Sequence, residues 1–185
     1  MQYIYLWFKI ITSMSSEKWL FILIFLLIFN YIFSTVLEFI NNKNWKDLIP
    51  KELKNYYSKE KYLEARNYKK EHGKISFISS TLSTIITLSL LYTGIYGWVS
   101  DFFIMNYENY FIQSGLFFLS FFLLNTIVSI PFQYYSTFYI EEKYGFNKTT
   151  FKVFITDRIK GILLSILIGG LILFIALFIY QKIEN

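Results

Sequence analysis

The sequence predicts an all-α, polytopic membrane protein with four transmembrane helices and with interfacial helices in two cytoplasmic loops. Of its 185 residues, 55% are hydrophobic and 22% are aromatic. The apolar residues lie in four blocks without a single charge, instead of recurring at the periods that a soluble core requires. Each block supplies the ~20 apolar residues that a helix needs to cross ~30 Å of hydrocarbon, and none alternates as a barrel strand would.

The four predicted spans divide the chain into an arm, two long loops and a short tail. The spans cover residues 19–40, 75–99, 110–131 and 161–181, the loops cover 41–74 and 132–160, and we expect 19–185 to form one membrane domain. Residues 1–18 have no basic segment before the apolar run and no small-residue cleavage site after it, so a signal peptide is not indicated. We expect an interfacial arm there, with Tyr5, Trp7 and Phe8 at the level of the lipid headgroups.

Basic residues are concentrated in the two long loops, and their distribution predicts the orientation. The first loop carries ten basic residues and the other long loop five, against two in the arm and one in the tail. The positive-inside rule therefore predicts that both long loops are cytoplasmic and both termini are outside. The richness in phenylalanine, isoleucine, asparagine, lysine and tyrosine is typical of an AT-rich genome. We therefore expect a bacterial source and the bacterial plasma membrane.

The first loop is predicted to be helical. Asp47 can cap a helix with Pro50 in its first turn, and Ser58 can cap a second helix that runs towards Gly73 as its stop. The tyrosines of this second helix form an apolar stripe, which favours a juxtamembrane helix facing anionic lipid. Four interleaved glutamates dilute the basic patch, so nucleic acid is not an expected partner.

The second span carries a face of hydroxyl side chains at three- and four-residue steps. Its members are Ser76, Ser80, Ser83, Thr84 and Thr87. Such a face serves close helix packing, or it forms one wall of a hydrated cavity, and the sequence leaves both interpretations open. No span contains an ionisable residue at its centre, which argues against a proton-coupled transporter.

The chain lacks the residue types that a hydrolytic metal site requires. Such a zinc site uses three protein ligands and an open position for water. The chain has one histidine, His72, no cysteine and no His-Glu-x-x-His motif. Glu141 and Glu142 are adjacent, so on a helix they point in different directions and are a poor acid/base pair. We therefore predict no catalytic residue and no metal ligand in this chain.

Residues 134–161, the hairpin segment, are unusually charged for a stretch between two spans. Pro131 can kink the helix that enters it, and Gly145 fits a left-handed helix stop. Three polar residues can cap the next helix: Asn147, Thr149 and Thr150. Glu141 and Lys143 are free to pair with the first loop. The hairpin segment is therefore predicted to be a structural clamp between the helix bundle and that loop.

The hairpin segment also carries a long and unusual residue pattern. Its positions are Tyr135, Thr137, Phe138, Ile140, Glu141, Glu142, Lys143, Gly145, Phe146, Asn147, Thr150, Asp157 and Lys160. This pattern closely resembles the signature of the type I CAAX prenyl proteases, which are integral-membrane zinc metalloendopeptidases. The first loop is similar to the same family at Pro50, Glu52, Leu53, Ala65, Arg66 and Tyr68, and at Phe77 where the second span begins. The resemblance covers residues from about 20 to 180.

The resemblance implies a specific and limited role. Members of the family have seven transmembrane helices around a water-filled chamber, and a zinc site on its cytoplasmic side follows the fifth span. In eukaryotes they remove the carboxy-terminal tripeptide of prenylated CAAX proteins. None of the family's catalytic or zinc-binding residues has a counterpart here, so zinc is expected only in a catalytic half outside this chain. The family's amino-out arrangement agrees with the orientation predicted from charge.

Two functions remain open from the sequence. The first is a non-catalytic amino-terminal region of such a metalloendopeptidase, which forms part of the chamber wall and the substrate entry. Its expected partners are the lipid bilayer and, if the gene is split, a separate zinc-bearing catalytic chain. The second is a stand-alone membrane adaptor that binds protein or anionic lipid through its basic loops.

Overall fold

A computed structural model describes residues 15–45, 48–50 and 56–184 of the chain. Within these residues the chain forms five α-helices, a π-helical segment and no strand. The helices are α1 (Ser16–Asn44), α2 (Lys59–Tyr92), α3 (Ile95–Asn106), α4 (Tyr110–Tyr135) and α5 (Phe151–Glu184), and the π segment is Ser136–Glu141. Helices α1, α2 and α5, together with α4 and its π extension, are long and apolar enough to cross a membrane. The predicted all-α fold with four candidate spans is therefore confirmed.

The helices form a bundle with α2 near its centre. Helix α2 contacts α1, α3, α4 and the π segment, whereas α5 packs against α4. A hydrogen bond of 2.7 Å between the hydroxyls of Tyr31 and Thr81 joins α1 to α2. Most apolar side chains of α1 and α5 are exposed, as expected where lipid is the solvent. Among the described residues the buried hydrophobic ones are Tyr62 on the first half of α2, Ile140 on the π segment and Phe154 at the start of α5.

Helix α2 differs from the sequence expectation at both ends. Ser58 caps it as predicted, since its Oγ accepts a hydrogen bond of 3.3 Å from the backbone N–H of Lys61. Gly73 does not stop it, and that prediction is wrong: the helix continues to Tyr92, so residues 59–74 are not a separate helix. Gly73 is buried where α1 approaches, and a Cβ there would lie 2.7 Å from Glu38 Oε1. The glycine therefore serves helix packing.

The second span ends earlier than hydropathy indicated. Gly94 has a φ of 71°, and with Thr93 it forms a turn between α2 and α3. The predicted segment 75–99 therefore contains a helix break that a uniform run of apolar residues conceals. The apolar part of α2, residues 75–92, is about 27 Å long, close to the thickness of the hydrocarbon core. The charged first half of α2 extends beyond that apolar part.

Several predicted features of the chain's first third lie wholly or largely outside the described residues. These are the arm over residues 1–14, the Asp47 cap, and the family-like positions Glu52 and Leu53. Leu48 and Pro50 are described and are not helical, so the prediction of a helix with Pro50 in its first turn is wrong. The interfacial arm stays a prediction for residues 1–14, whereas residues 16–18 of the predicted arm belong to α1.

Candidate functional site

The hairpin segment begins as an unbroken continuation of α4. Helix α4 contains Pro131 without ending there and passes into the π segment. The helical path stops at Gly145, which has the left-handed φ of 71° that was predicted for it. The N–H of Phe146 then donates to the carbonyl of Glu141 over 2.8 Å, and the N–H of Gly145 donates to that of Glu142 over 3.0 Å. These bonds satisfy carbonyls that a helix end would otherwise leave open.

Polar side chains fix the turn that follows. Glu142 Oε2 accepts a hydrogen bond of 2.9 Å from Asn147 Nδ2, and Asn147 Oδ1 accepts one of 2.7 Å from the N–H of Thr149. Of the three candidate caps, Thr150 is the one that serves α5, because its Oγ1 accepts from the N–H of Val153 at 3.3 Å. Asn147 instead holds the turn between the helices.

An aromatic cluster joins the end of α4 to the start of α5. Phe154 is only 3% exposed, with its ring centroid 5.5 Å from that of Phe138 and 6.0 Å from that of Tyr134. Ile140, also 3% exposed, is buried on the π segment. Aromatic burial of this kind is among the largest stabilising contributions a side chain makes. The hairpin segment therefore has a small core of its own.

Tyr68 connects the first half of α2 to this hairpin segment. Its ring makes edge contacts with the rings of His72, Tyr144 and Phe146, at centroid distances of 4.7, 5.4 and 5.0 Å. His72 also lies 3.2 Å from the hydroxyl of Ser136 on the π segment, measured from Nε2. Burial, and secondarily the nearby Glu141 carboxylate, raise the pKa of the Tyr68 phenol. Tyr68 therefore packs against one ring of α2, His72, and against two rings of the hairpin segment, Tyr144 and Phe146.

A charged contact lies beside the rings. Lys143 Nζ is 2.5 Å from Glu71 Oε1, and the Tyr144 hydroxyl donates to the same oxygen over 3.2 Å. The hydrogen bond with Glu71 raises the pKa of Lys143, and the same bond lowers the pKa of Glu71. The predicted pairing of Lys143 with the first loop is therefore confirmed. Glu141 instead contributes its backbone carbonyl to the turn.

The remaining predicted signature residues lie elsewhere. Tyr135 stacks on Tyr139, with the ring centroids 5.0 Å apart. Asp157 and Lys160 are both exposed on α5, and Asp157 lines a cavity between α4 and α5. The contact between His72 and Ser136 could not be predicted from the sequence, because the two residues are 64 positions apart.

A second polar region lies deeper, between α2 and α4. A cavity of about 80 Å³ is lined by Ser83 and Thr87 of the predicted hydroxyl face, and also by Tyr96 and Asn125. The Thr87 hydroxyl donates to the carbonyl of Ser83 on its own helix, over 2.9 Å. Part of the hydroxyl face therefore borders a cavity of mixed polarity, while Ser80 and Thr87 of that face donate hydrogen bonds to carbonyls of their own helix.

Potential metal ligands do not cluster in the part of the chain that the structure describes. Across the described ranges, no three histidine, cysteine, aspartate or glutamate side chains converge as metal ligands. The single histidine is packed against Tyr68 and Ser136.

Comparison with known proteins agrees with this architecture. Residues 38–185 match a family model described as "CAAX prenyl protease N-terminal, five membrane helices". The chain belongs to this CAAX prenyl protease N-terminal family. It has five described helices, but α3 is only 12 residues long, about 18 Å, which is too short to cross the hydrocarbon core.

Named relatives and a solved structure support the same assignment. A rice protein named "CAAX prenyl protease 1 homolog" is 35% identical over 164 residues, which cover 84% of this chain and 39% of the rice protein. A protein of the same name from Arabidopsis thaliana is 32% identical, covering 82% and 38% of the two chains. The crystal structure of S. mikatae Ste24p matches with a TM-score of 0.76 and 29% identity, over 90% of this chain and 40% of that one.

Two consequences follow from these matches. The chain spans about two fifths of the length of the relatives that it matches. These relatives are eukaryotic, so they give no support to the bacterial source expected from composition. The protein is membrane-embedded, as its helices and its family indicate.

Proposed function

We propose that the chain is the non-catalytic, membrane-embedded amino-terminal region of a CAAX-protease-like metalloendopeptidase. In this role it contributes part of the chamber wall and shapes substrate entry, while zinc and the catalytic residues come from a region outside the chain. The observation that carries the proposal is the family match over residues 38–185, combined with a donor set that does not fit zinc.

The polar cavity between α2 and α4 supports the wall function. Ser83, Thr87, Tyr96 and Asn125 line it together with five apolar side chains: Ile86, Leu90, Phe121, Leu124 and Val128. Polar side chains inside a membrane are costly unless they face one another or water. We infer that this side of the bundle faces the aqueous interior of the complete protease, and that the apolar faces of α1 and α5 are turned to lipid or to other helices.

The proposed orientation places both termini outside and the hairpin segment in the cytoplasm. It follows from the basic residues of the two long loops. Because the chain has no cysteine, a single Glu108→Cys or Lys148→Cys substitution provides a unique label. With a bulky, impermeant maleimide on intact cells, we expect labelling at position 108 alone, and at 148 only after lysis. The reverse pattern would refute this orientation.

The absence of catalysis is tested on the purified chain in detergent. We expect no stoichiometric zinc and no cleavage of a farnesylated CAAX peptide, because the chain offers one imidazole and no thiol as ligands. Cleavage that co-purifies with the chain would overturn this part of the proposal, and its loss on chelation would assign it to a metal site. A full-length relative treated in parallel is the positive control.

A second candidate function is an adaptor that binds a protein partner. An open groove of about 560 Å³ runs along the first half of α2 beside the hairpin segment, and both acidic and basic side chains line it: Glu60, Glu64, Glu71, Lys70, Lys74 and Lys143. Mixed charge suits a protein surface better than anionic lipid. Flotation with phosphatidylserine vesicles of a peptide over residues 41–74 separates these cases, since strong flotation would favour the lipid-binding version.

A further inference from the structure

The first turns of α5 carry two lysines whose ammonium groups have no partner within the described residues. Lys152 and Lys160 are both exposed, and neither forms an ion pair or a ring contact there. The other two cations of α5 each lie over a ring: Arg158 is 4.9 Å from the centroid of Phe154, and Lys182 is 5.9 Å from that of Phe178. Lys152 and Lys160 are therefore available to a group outside the protein.

The two lysines lie on the side of α5 that is turned away from α4. Phe154 is 3% exposed and packs on aromatic rings at the end of α4 and in the π segment, so it marks the inner side. At 100° per residue, Lys152 is about 160° and Lys160 about 120° from Phe154 around the helix. Asp157, the acidic residue between them in sequence, lines the cleft towards α4. The outer side of these turns therefore carries positive charge.

The apolar part of α5 begins directly after Lys160. Residues 161–180 contain no charge, and at 1.5 Å per residue they are about 30 Å long, which matches the hydrocarbon core of a bilayer. Lys160 therefore lies at the edge of the hydrocarbon, and Lys152 lies about 12 Å further along the axis. Because side chains of a helix tilt towards its amino terminus, the Lys160 ammonium extends into the headgroup layer, on the same side as Lys152.

Exposed aliphatic side chains lie beside the two lysines. Ile159 and Leu163 are 53% and 62% exposed. At 100° per residue, both lie within about 20° of Lys152 around the helix, so they share its outer side. This face therefore presents ammonium groups above the edge of the hydrocarbon and branched aliphatic groups at and below it. A fitting ligand has a negatively charged head and an apolar tail.

We propose that this face of α5 binds an anionic phospholipid, with the headgroup at Lys152 and Lys160 and the acyl chains along Ile159 and Leu163. The ammonium groups attract the negative charges of the headgroup, whereas the choline of a zwitterionic lipid would be repelled by Lys152. An acidic soluble protein matches the lysines but not the aliphatic groups that continue into the hydrocarbon. The inference rests on the proposed function only for its leaflet, because the proposed orientation places the start of α5 on the cytoplasmic side, where anionic lipids are concentrated.

The test is native mass spectrometry of the purified chain in detergent, with phosphatidylserine and phosphatidylcholine supplied in equal amounts. We expect the chain to retain phosphatidylserine preferentially, and Lys152→Met and Lys160→Met each to lower that preference by about fivefold, the effect of one lysine at a membrane surface. The double variant Lys152→Arg with Lys160→Arg keeps both charges and should keep the preference. Lys182→Met is the matched control, because this cation lies over a ring at the other end of α5 and its loss should leave the preference unchanged.

Ionic strength tests the role of charge without a substitution. Raising the ammonium acetate concentration should reduce the preference of the unaltered chain, because salt screens exposed charges. Inorganic phosphate should not displace the lipid, since it offers nothing to Ile159 and Leu163.

Several outcomes would overturn the lipid site and leave the proposed function intact, because none of them involves catalysis or zinc. These are equal retention of the two lipids by the unaltered chain, an undiminished preference when both Lys152 and Lys160 are replaced by methionine, and a preference that does not respond to salt. Displacement by inorganic phosphate would show a site for free anions. A dimer that Lys160→Met dissociates would show that a second copy of the chain occupies this face.

Discussion

Lys143 of the hairpin segment donates a hydrogen bond to Glu71 of α2, with Nζ and Oε1 2.5 Å apart. The two residues are 72 positions apart in sequence, and between them the chain passes through the rest of α2, α3 and all of α4. This contact joins the charged first half of α2 to the hairpin segment. It identifies the residues that form the clamp, whose existence alone was predicted from the charge pattern.

We expect the pair of Lys143 and Glu71 to position the hairpin segment against α2 and to contribute little to the stability of the protein. Both side chains are partly exposed, and exposed ion pairs contribute little. Glu71→Gln and Lys143→Met should each lower thermal stability slightly, and the charge-swapped double variant Glu71→Lys with Lys143→Glu should recover most of the loss. Thermal unfolding in detergent measures this. Additive losses in the swapped variant would show that the two side chains do not act as a pair.

The pair also predicts how clamp stability depends on pH. The pKa of Glu71 is lowered by its bond with Lys143, so the glutamate's contribution is present above the ordinary carboxyl pKa of about 4.3 and is lost as pH falls through the lowered value. The pKa of Lys143 is raised by the same bond, so its contribution is lost as pH rises through the raised value. We expect the thermal stability in detergent to be constant between these two pH limits. Glu71→Gln should reduce the loss of stability at acidic pH, and an unchanged loss would contradict this assignment.

Tyr68 should be the most sensitive residue of the clamp on the α2 side. Its ring contacts three others, so Tyr68→Ala should lower the free energy of unfolding by about 2–3 kcal/mol. Tyr68→Phe keeps the ring and should stay within about 0.5 kcal/mol of the unaltered protein. Tyr92→Ala is the control, since Tyr92 is 89% exposed. Chemical unfolding in mixed micelles distinguishes them. A similar loss for alanine and phenylalanine would mean that the hydroxyl, and not the ring, matters.

Gly145 should be required for its backbone conformation alone. Its φ is 71° and a Cβ there would meet nothing within 4 Å, so Gly145→Ala introduces no steric clash with neighbours. The left-handed conformation alone should lower stability by about 1 kcal/mol. Gly170→Ala, in the middle of α5 and equally open, should instead be neutral or stabilising. Unfolding measurements that give both substitutions the same sign would refute the requirement for a left-handed stop.

Features determined by local chemistry were predictable, and those determined by distant contacts were not. Apolar blocks specify spanning helices, so the four candidate spans followed from the sequence. Gly145 could be assigned because a left-handed stop suits glycine whatever its surroundings. Gly73 was misassigned, because a glycine inside a continuous helix cannot be recognised until Glu38 of α1 is placed against it. The charge of Lys143 indicated a partner in the first loop, but only the three-dimensional structure could identify Glu71.

The most direct test of the assignment is reconstitution of activity from two pieces. The chain is co-expressed in one membrane with the part of the rice relative beyond the region that it matches, and zinc-dependent cleavage of a farnesylated CAAX peptide is measured. We expect cleavage with both pieces present, none with either alone, and loss of cleavage on chelation. A folded, co-purifying pair that contains zinc and does not cleave the peptide would contradict the proposed role.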